Sequence, residues 1–438
     1  MIKNNNYLRF LILWTACCSA LLACDTASNT ENPDLYYFVR YYGENGNQYG
    51  ADMLAMNDGS FILLGTDAED PFDTDVYLLR VDALGEVIWE IRHGGLGEIW
   101  TAKDVELAAD GNLVVLSDYK RDVTSDVDIR LLKFSPEGTL IATGAYRTES
   151  TGNELSRTVT PLSDGGFIIS GMTDSTSTIF LTGETDPDLG DAYDIRVDQN
   201  LVRFSRNAWD PYNGFGSNID VAVKAFERPG DTFYVFGQSD SQLAGDLNMD
   251  ERLGLLYFSR DSRYTVEKVW YPGNVVSANN TEINHVRELP SALGGGFLVV
   301  GTSQTNTGLS AIFMGRMRPT LTFKNPLQGE ASFYNTISLG RNIRGAAGAP
   351  SVSGELGFLI LGNEVRTTGF TNFWLSKVDQ TGQPLWSTTF GSEDKDDRGA
   401  AVMELPDGKI VILATMGLAD NQSKMAFVKV NRDGKLLK

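Results

Sequence analysis

One phrase recurs seven times and limits what this chain can fold into more than any other feature. Its copies are "NDGSFILLGT" (57–66), "ADGNLVVLSD" (109–118), "SDGGFIISGM" (163–172), "PGDTFYVFGQ" (229–238), "GGGFLVVGTS" (294–303), "ELGFLILGNE" (355–364) and "PDGKIVILAT" (406–415). With Phe61, Leu113, Phe167, Phe233, Phe297, Phe358 and Ile410 taken as equivalent, the spacings are 52, 54, 66, 64, 61 and 52 residues. Repetition at such a period means one supersecondary unit that buries its core against its neighbours. Asp-Gly tolerates the positive φ of a tight hairpin, and the apolar run after it reads as a buried strand stopped by a small residue.

Each phrase has strand-like company. "GADMLAM" (50–56) and "GAAVMEL" (399–405) precede the turn, while "DVYLLRVD" (75–82) and "AFVKVN" (426–431) follow a polar loop. A second turn and a fourth strand come next, as in "ALGEVIWEIRHGG" (83–95) and "QTGQPLWSTTFGS" (380–392). Four antiparallel strands per unit is the pattern of a propeller blade, and no sustained helical periodicity competes with it. The expectation is an all-β, seven-bladed β-propeller as one domain over 35–438. A sandwich or two smaller domains would also give short strands, but neither predicts seven equivalent phrases.

Closure of such a ring is also predicted. The last unit, "PDGKIVILATMG" with "KMAFVKVNRDGKLLK", contains three strands and a turn, whereas "LYYFVRYYG" (35–43) is a strand without a hairpin partner. The N-terminal strand, residues 35–43, is therefore expected to be the fourth strand of the seventh unit, with Tyr36 or Tyr37 in the place that Trp holds elsewhere.

The first 23 residues read as an export signal: Lys3 and Arg9 precede a short apolar run, "LILWTACCSALLA", that is interrupted by Thr15 and Ser19 and too short to span a bilayer. "LLAC" (21–24) resembles the bacterial lipobox, which implies lipidation of Cys24 and a polar tether over 24–34; an ordinary secretory signal cut nearby is the other reading. Cys17, Cys18 and Cys24 are the only cysteines, so a chain cut before Cys24 has no disulfide and must be held by core burial. Loss of the signal removes two of 37 basic residues and leaves 35 against 57 acidic, a formal charge of −22. Nucleic acid and bare anionic membrane are poor partners for that balance.

"VDALGEVIW" (81–89) and "VDQTGQPLW" (378–386) resemble quinoprotein-type propeller blades, in which an Asp, a turn Gly and a Trp recur and the Trp packs between neighbours. Asp82, Gly85 and Trp89, and Asp379, Gly382 and Trp386, fill those roles; Trp209 and Trp270 are placed similarly, and the second unit has Ile141 or Ala142. Together with the lipobox, the chain resembles propeller lipoproteins common in Bacteroidetes, many without an assigned function. It also resembles, more distantly, the eight-bladed scaffold lipoprotein of the outer-membrane barrel-assembly machinery. The resemblance implies an outer-membrane lipoprotein, periplasmic or on the cell surface, with a monomeric propeller.

Propeller ligands sit where loops converge at the channel mouth, and mapping those loops singles out Tyr49, Trp100, Tyr212, Glu154, Glu282, Arg344, Asp397 and Arg398 as candidate ligand contacts. Aromatics beside carboxylates and Arg suit a sugar or a peptide. His93 and His285 are the only histidines, which argues against a His-dependent triad or a multi-His zinc site. A quinone-cofactor dehydrogenase lacks its cysteine pair here. "GDLNMDERLG" (245–254) places Asp246, Asn248 and Asp250 at alternating positions, a calcium-like arrangement without the expected turn Gly or the twelfth-position Glu; a solvated acidic loop is the plainer reading. The leading expectation is a lipid-anchored, non-enzymatic binding or scaffold protein for a protein or glycan, with no cofactor beyond calcium in that loop. The alternative is a carbohydrate-active enzyme that uses paired carboxylates at the mouth.

Overall fold

The computed structural model describes residues 37–147, 152–174, 191–209, 220–229, 232–239, 253–260, 281–305, 307–317, 331–418 and 422–436. Cys24, Tyr212 and the 246–250 loop lie outside them. After β1 (Phe38–Tyr42), the chain runs through antiparallel meanders. β2 (Asn47–Ala55), β3 (Phe61–Asp70), β4 (Asp73–Val81) and β5 (Val87–His93) form one unit, and β6 (Ile99–Leu107), β7 (Leu113–Lys120), β8 (Asp128–Phe134) and β9 (Leu140–Tyr146) the next. A single parallel bridge, Thr74 to Ile99, joins the two.

Another four-stranded unit follows with β10 (Glu154–Pro161), β11 (Phe167–Thr173), β12 (Asp191–Val197) and β13 (Arg203–Trp209). β14 (Asp220–Arg228), β15 (Thr232–Ser239) and β16 (Leu253–Arg260) make a three-stranded sheet within the described residues. The sheet after it takes β17 (Thr281–Glu288), β18 (Phe297–Gln304), β19 (Ser310–Met317) and β20 (Ala331–Ile337), followed by β21 (Ile343–Ser351), β22 (Gly357–Val365), β23 (Thr371–Asp379) and β24 (Pro384–Phe390). β25 (Asp397–Glu404), β26 (Ile410–Gly417) and β27 (Ser423–Val430) end the chain, and β1 pairs antiparallel with β27 in the register Val39 to Val428. A 3-10 turn at Ser291–Leu293 is the only helical element among the described residues, none of which forms a helix long and apolar enough to cross a membrane. The molecule is an all-β, propeller-like stack of antiparallel sheets.

The repeated phrase is apolar without interruption because its strand is buried on both faces, and alternate side chains serve different interfaces. On β3, Phe61 and Leu63 pack with Val411, Leu413 and Phe427 of the last sheet, while Ile62 and Leu64 pack with Leu113, Val115 and Phe134 of the next. The same split holds on β7, whose Val114 and Leu116 meet Phe167 and Ile169, and on β22, where Phe358 and Ile360 face one sheet and Leu359 and Leu361 the other. Each fully buried Phe or Leu of this kind stabilises the fold by roughly 1.5–3 kcal/mol relative to an exposed one. With no cysteine among the described residues, these interfaces hold the sheets together.

A second device repeats at the outer strands. Asp82 caps its turn by accepting hydrogen bonds from the N–H groups of Leu84 (2.8 Å) and Glu86 (2.9 Å), and Asp379 does the same for Thr381 (2.8 Å) and Gln383 (2.9 Å). Trp89 lies over Gly138 in the following unit's turn and donates to the Pro136 carbonyl at 3.1 Å, and Trp386 lies over Gly434. A Cβ at Gly434 would stand 2.5 Å from the Trp386 ring, so the turn glycine is the seat of the aromatic. Register places Phe38 opposite Lys429 as Trp89 is opposite Arg80 and Trp386 opposite Lys377, and Phe38 lies over Gly85. Phe38, not Tyr36 or Tyr37, therefore holds the Trp position on β1. The same register puts Ala142 there on β9, opposite Lys133, and Ser205 on β13, opposite Arg196, so Trp209 is not the equivalent residue. The basic partner on the third strand also reaches across: Arg80 donates to the Pro136 carbonyl (2.8 Å), Lys133 to Gln199 (3.0 Å) and Lys429 to Ala83 (2.8 Å).

Candidate functional site

The first strand of every unit carries a β-bulge at the same place. Register shifts fall at Gly50/Asp52, Ala102/Asp104, Ser156/Thr158, Ala222/Lys224, Ile283/His285, Gly345/Ala347 and Gly399/Ala401. A bulge leaves one residue unpaired and turns the strand, which here re-aims two short rings of side chains. Directly after it come Asp52, Asp104, Thr158, Lys224, His285, Ala347 and Ala401. Two residues before the unpaired position come Tyr49, Thr101, Leu155, Val221, Glu282, Arg344 and Arg398. The close approach needed at this point explains the small residue that ends each phrase. A Cβ at Gly65 would collide with the Tyr49 carbonyl oxygen, and one at Gly301 with that of Glu282.

All seven first strands line one cavity of about 410 Å³. Its two walls differ. Ala51, Ala346, Ala347, Ala400 and Ala401 from β2, β21 and β25 form an apolar side, and Lys103, Asp104, Glu106, Arg157, Lys224 and Arg287 from β6, β10, β14 and β17 a charged one. The ring after the bulge is knitted between sheets. Asp52 accepts the Val105 N–H at 3.1 Å, Asp104 the Val159 N–H at 2.9 Å, and His285 Nδ1 the Gly348 N–H at 3.4 Å, while the Thr158 hydroxyl donates to the Val223 carbonyl at 2.7 Å. Asp52 and Asp104 also share a hydrogen bond.

Burial pushes the Asp104 carboxyl up to about 7, against the pull of Lys224 and with a further push from Asp52. Burial also raises Asp52, partly offset by that hydrogen bond. Lys224 works against its own burial: Asp104 and Glu106 beside it hold its pKa above the ordinary value, and its ammonium pairs with Glu106 at 2.8 Å. Burial next to Arg287 and Lys224 lowers His285 to about 3 and keeps it neutral. His93 is lowered by burial and packs edge-on against Trp100 (5.1 Å) and Phe134 (6.3 Å).

The candidate contacts named from sequence divide by one residue of register. Tyr49 (44 % exposed), Glu282, Arg344 and Arg398 all belong to the ring two residues before the unpaired position, and Arg344 and Arg398 are exposed. Trp100, Glu154 and Asp397 stand one residue earlier and are buried, at 6 %, 0 % and 1 % exposure. As ligand contacts these three are corrected to internal ties. The Trp100 indole donates to Glu98 (3.0 Å) and packs on Tyr119 (4.8 Å), Glu154 accepts from the Thr173 hydroxyl (3.3 Å), and Asp397 accepts from the N–H groups of Ser392 (2.7 Å) and Gly417 (3.0 Å). Tyr212 and the Asp246, Asn248, Asp250 group fall outside the described residues, among which no cluster of His, Cys, Asp or Glu converges as a metal site. Sequence reasoning missed the Asp52, Asp104 and Lys224 belt, because a bulge has no residue signature; alignment of the first strands on their phrases would have brought it into register.

Tyr49 borders a second, more open cavity of about 650 Å³, which is lined by Thr66, Pro71, Thr74, Ile99 and Thr101 and shares Ala51 and Lys103 with the channel cavity. Together they form a pocket with one exposed aromatic face, several hydroxyls and cationic groups beyond. That combination can stack on and hydrogen-bond a polar ligand.

No protein-family model matches the chain, and no curated protein matches it. Among solved structures it is similar to the extracellular domains 1-2 of Drosophila Semaphorin 1a, with 10% identity, a TM-score of 0.48 and coverage of 90% of this chain and 88% of that one. An alpha-L-arabinanase of Penicillium chrysogenum complexed with arabinobiose matches at 11% identity and a TM-score of 0.46, over 75% of this chain and 92% of that one. A protein of unknown function from Dyadobacter fermentans matches at 9% identity and a TM-score of 0.42, over 90% and 98%. At these values the likenesses assign no activity to this chain.

Proposed function

We propose that the chain is a seven-bladed propeller, closed by β1 against β27, and that it serves as a lipid-anchored, non-enzymatic binding protein of the cell envelope. It grips a protein or glycan at the channel mouth. The observation that carries this reading is the exposed set Tyr49, Thr101, Arg344 and Arg398, which share one register position two residues before the bulge, with Tyr49 and Thr101 lining the cavity of about 650 Å³. Catalysis by Asp52 and Asp104 is disfavoured by the ties that already hold them. Each is occupied by a backbone N–H of the neighbouring strand.

Screening the purified protein against glycan and peptide panels tests the reading. The Tyr49→Ala, Arg344→Ala and Arg398→Ala triple variant should lose at least about tenfold in affinity for any hit, in line with loss of aromatic and Arg anchors. Binding that ignores the triple variant, or glycan turnover abolished by Asp104→Asn, overturns it. For the anchor, metabolic palmitate labelling should be lost in Cys24→Ser; label retained in that variant rules the lipobox out. For the closure, removal of residues 37–43 should abolish cooperative unfolding of the whole domain, and an unchanged thermal midpoint would refute it.

A further inference from the structure

A cleft of about 1140 Å³ lies between the unit of β6 to β9 and that of β10 to β13 and shares no lining residue with the cavity of the first strands. Its wall holds four arginines, Arg121, Arg130, Arg147 and Arg203, against two acids, Asp126 and Asp128. On a chain with a formal charge of −20, this local excess of two positive charges is the reverse of the general balance. The arginines are only partly used by the fold. Arg130 stacks on the Tyr119 ring at 4.1 Å and meets Asp128 at 3.5 Å, while Arg121 is 78 % exposed and reaches Asp122 at 3.5 Å. Arg203 donates to the Arg147 carbonyl at 3.5 Å, and neither Arg147 nor Arg203, both exposed, forms an ion pair among the described residues.

We propose that this cleft is a second binding site, for a ligand bearing carboxylate, sulfate or phosphate groups. A guanidinium offers five donors in a planar fork that matches the paired oxygens of such groups, and it stays charged at any working pH. Four of them around one polar cleft can grip two anionic groups at once. Arg130, held by Tyr119, forms the fixed part, and Arg147 and Arg203 supply donors from the rim. Local positive charge also attracts an anion that the molecule as a whole repels.

Calorimetric titration of the full chain at about 50 mM salt, with trigalacturonate, a sulfated disaccharide and pyrophosphate as probes and neutral maltotriose as control, tests the site. At least one anionic probe should bind, and which one identifies the group recognised. The affinity should fall severalfold by about 200 mM salt. The Arg147→Gln, Arg203→Gln variant should keep the wild-type thermal midpoint and weaken binding at least about tenfold, with Arg147→Lys, Arg203→Lys intermediate, because charge without the fork restores only part of the contact. Failure of all three anions to bind, or equal binding by wild type and the Gln variant, overturns the proposal. Neither outcome bears on the channel mouth, whose ring shares no residue with this cleft.

Discussion

The two walls of the cavity lined by the first strands occupy equivalent backbone positions and differ completely in chemistry. On one side Ala347 and Ala401 follow the bulge; on the other Asp104, Lys224 and His285 do. The alanine side has no charge to be matched: its ties to neighbours are made by backbone, as where the Gly348 N–H donates to His285 and the Gly399 N–H to Asn363. The charged side depends on its members together: Lys224 offsets part of the cost of burying Asp104, and Asp104 and Glu106 offset the cost of burying Lys224. A repeat thus fixes where a side chain stands and leaves its chemistry free, and each unit can either contribute to a polar network or abstain from it.

This contrast can be broken most severely at Lys224. Lys224→Met leaves Glu106 and Asp104 without their cation, and removal of one partner of a buried pair typically costs 3–5 kcal/mol, so urea unfolding at pH 7 should show a loss of about that size. The loss should shrink towards pH 4, where the carboxyls take up protons. A variant as stable as wild type at pH 7 would show that the charged wall is not coupled.

A middle-sized effect concerns pH. Because the Asp104 pKa is raised in the folded protein, to about 7 from the ordinary 3.8, the folded state holds a proton that the unfolded state has released between those values. Stability from this group is therefore intact below pH 4 and declines as pH rises to about 7, by at most about 1.4 kcal/mol per unit. Asp104→Asn, which can still accept from Val159 and donate to Asp52, should remove that decline. Parallel wild-type and variant curves across this window would contradict the shared proton.

The smallest effect belongs to the other wall. Ala347→Ser and Ala401→Ser should each change stability by less than about 1 kcal/mol, because a cavity-lining hydroxyl can stay solvated. A larger loss would mean that the alanine side is packed as tightly as the charged side is paired.

How far these features were legible in the sequence depends on which physical signal each one leaves. Second strands such as Phe61 to Leu64 serve two interfaces and so are apolar throughout, which made seven copies stand out. The turn aspartates, Asp82 and Asp379, and the aromatics Trp89 and Trp386 were readable because a cap and a seat for an indole each require a particular residue. The candidate contacts were half readable. Tyr49, Glu282, Arg344 and Arg398 share a register with one another but not with Trp100, Glu154 and Asp397, and in a strand a shift of one residue reverses the direction of a side chain. Loop composition alone cannot show that shift. The bulge was invisible because Ala51, Lys103, Arg157 and Asn284 have nothing in common as residue types. The arginine cleft was hidden for another reason: Arg121 and Arg130 lie before and on β8, Arg147 follows β9 and Arg203 opens β13 of the next unit, 82 positions after Arg121.

The aromatic seated on a glycine turn has a consequence for how such a chain can change over time. Trp89 on Gly138, Trp386 on Gly434 and Phe38 on Gly85 are the same plug and socket, with the plug on the outgoing edge of one unit and the socket in the next. Any unit that carries both parts is interchangeable with its neighbours at the joint. Recombination can duplicate or exchange such units without a new interface having to be invented.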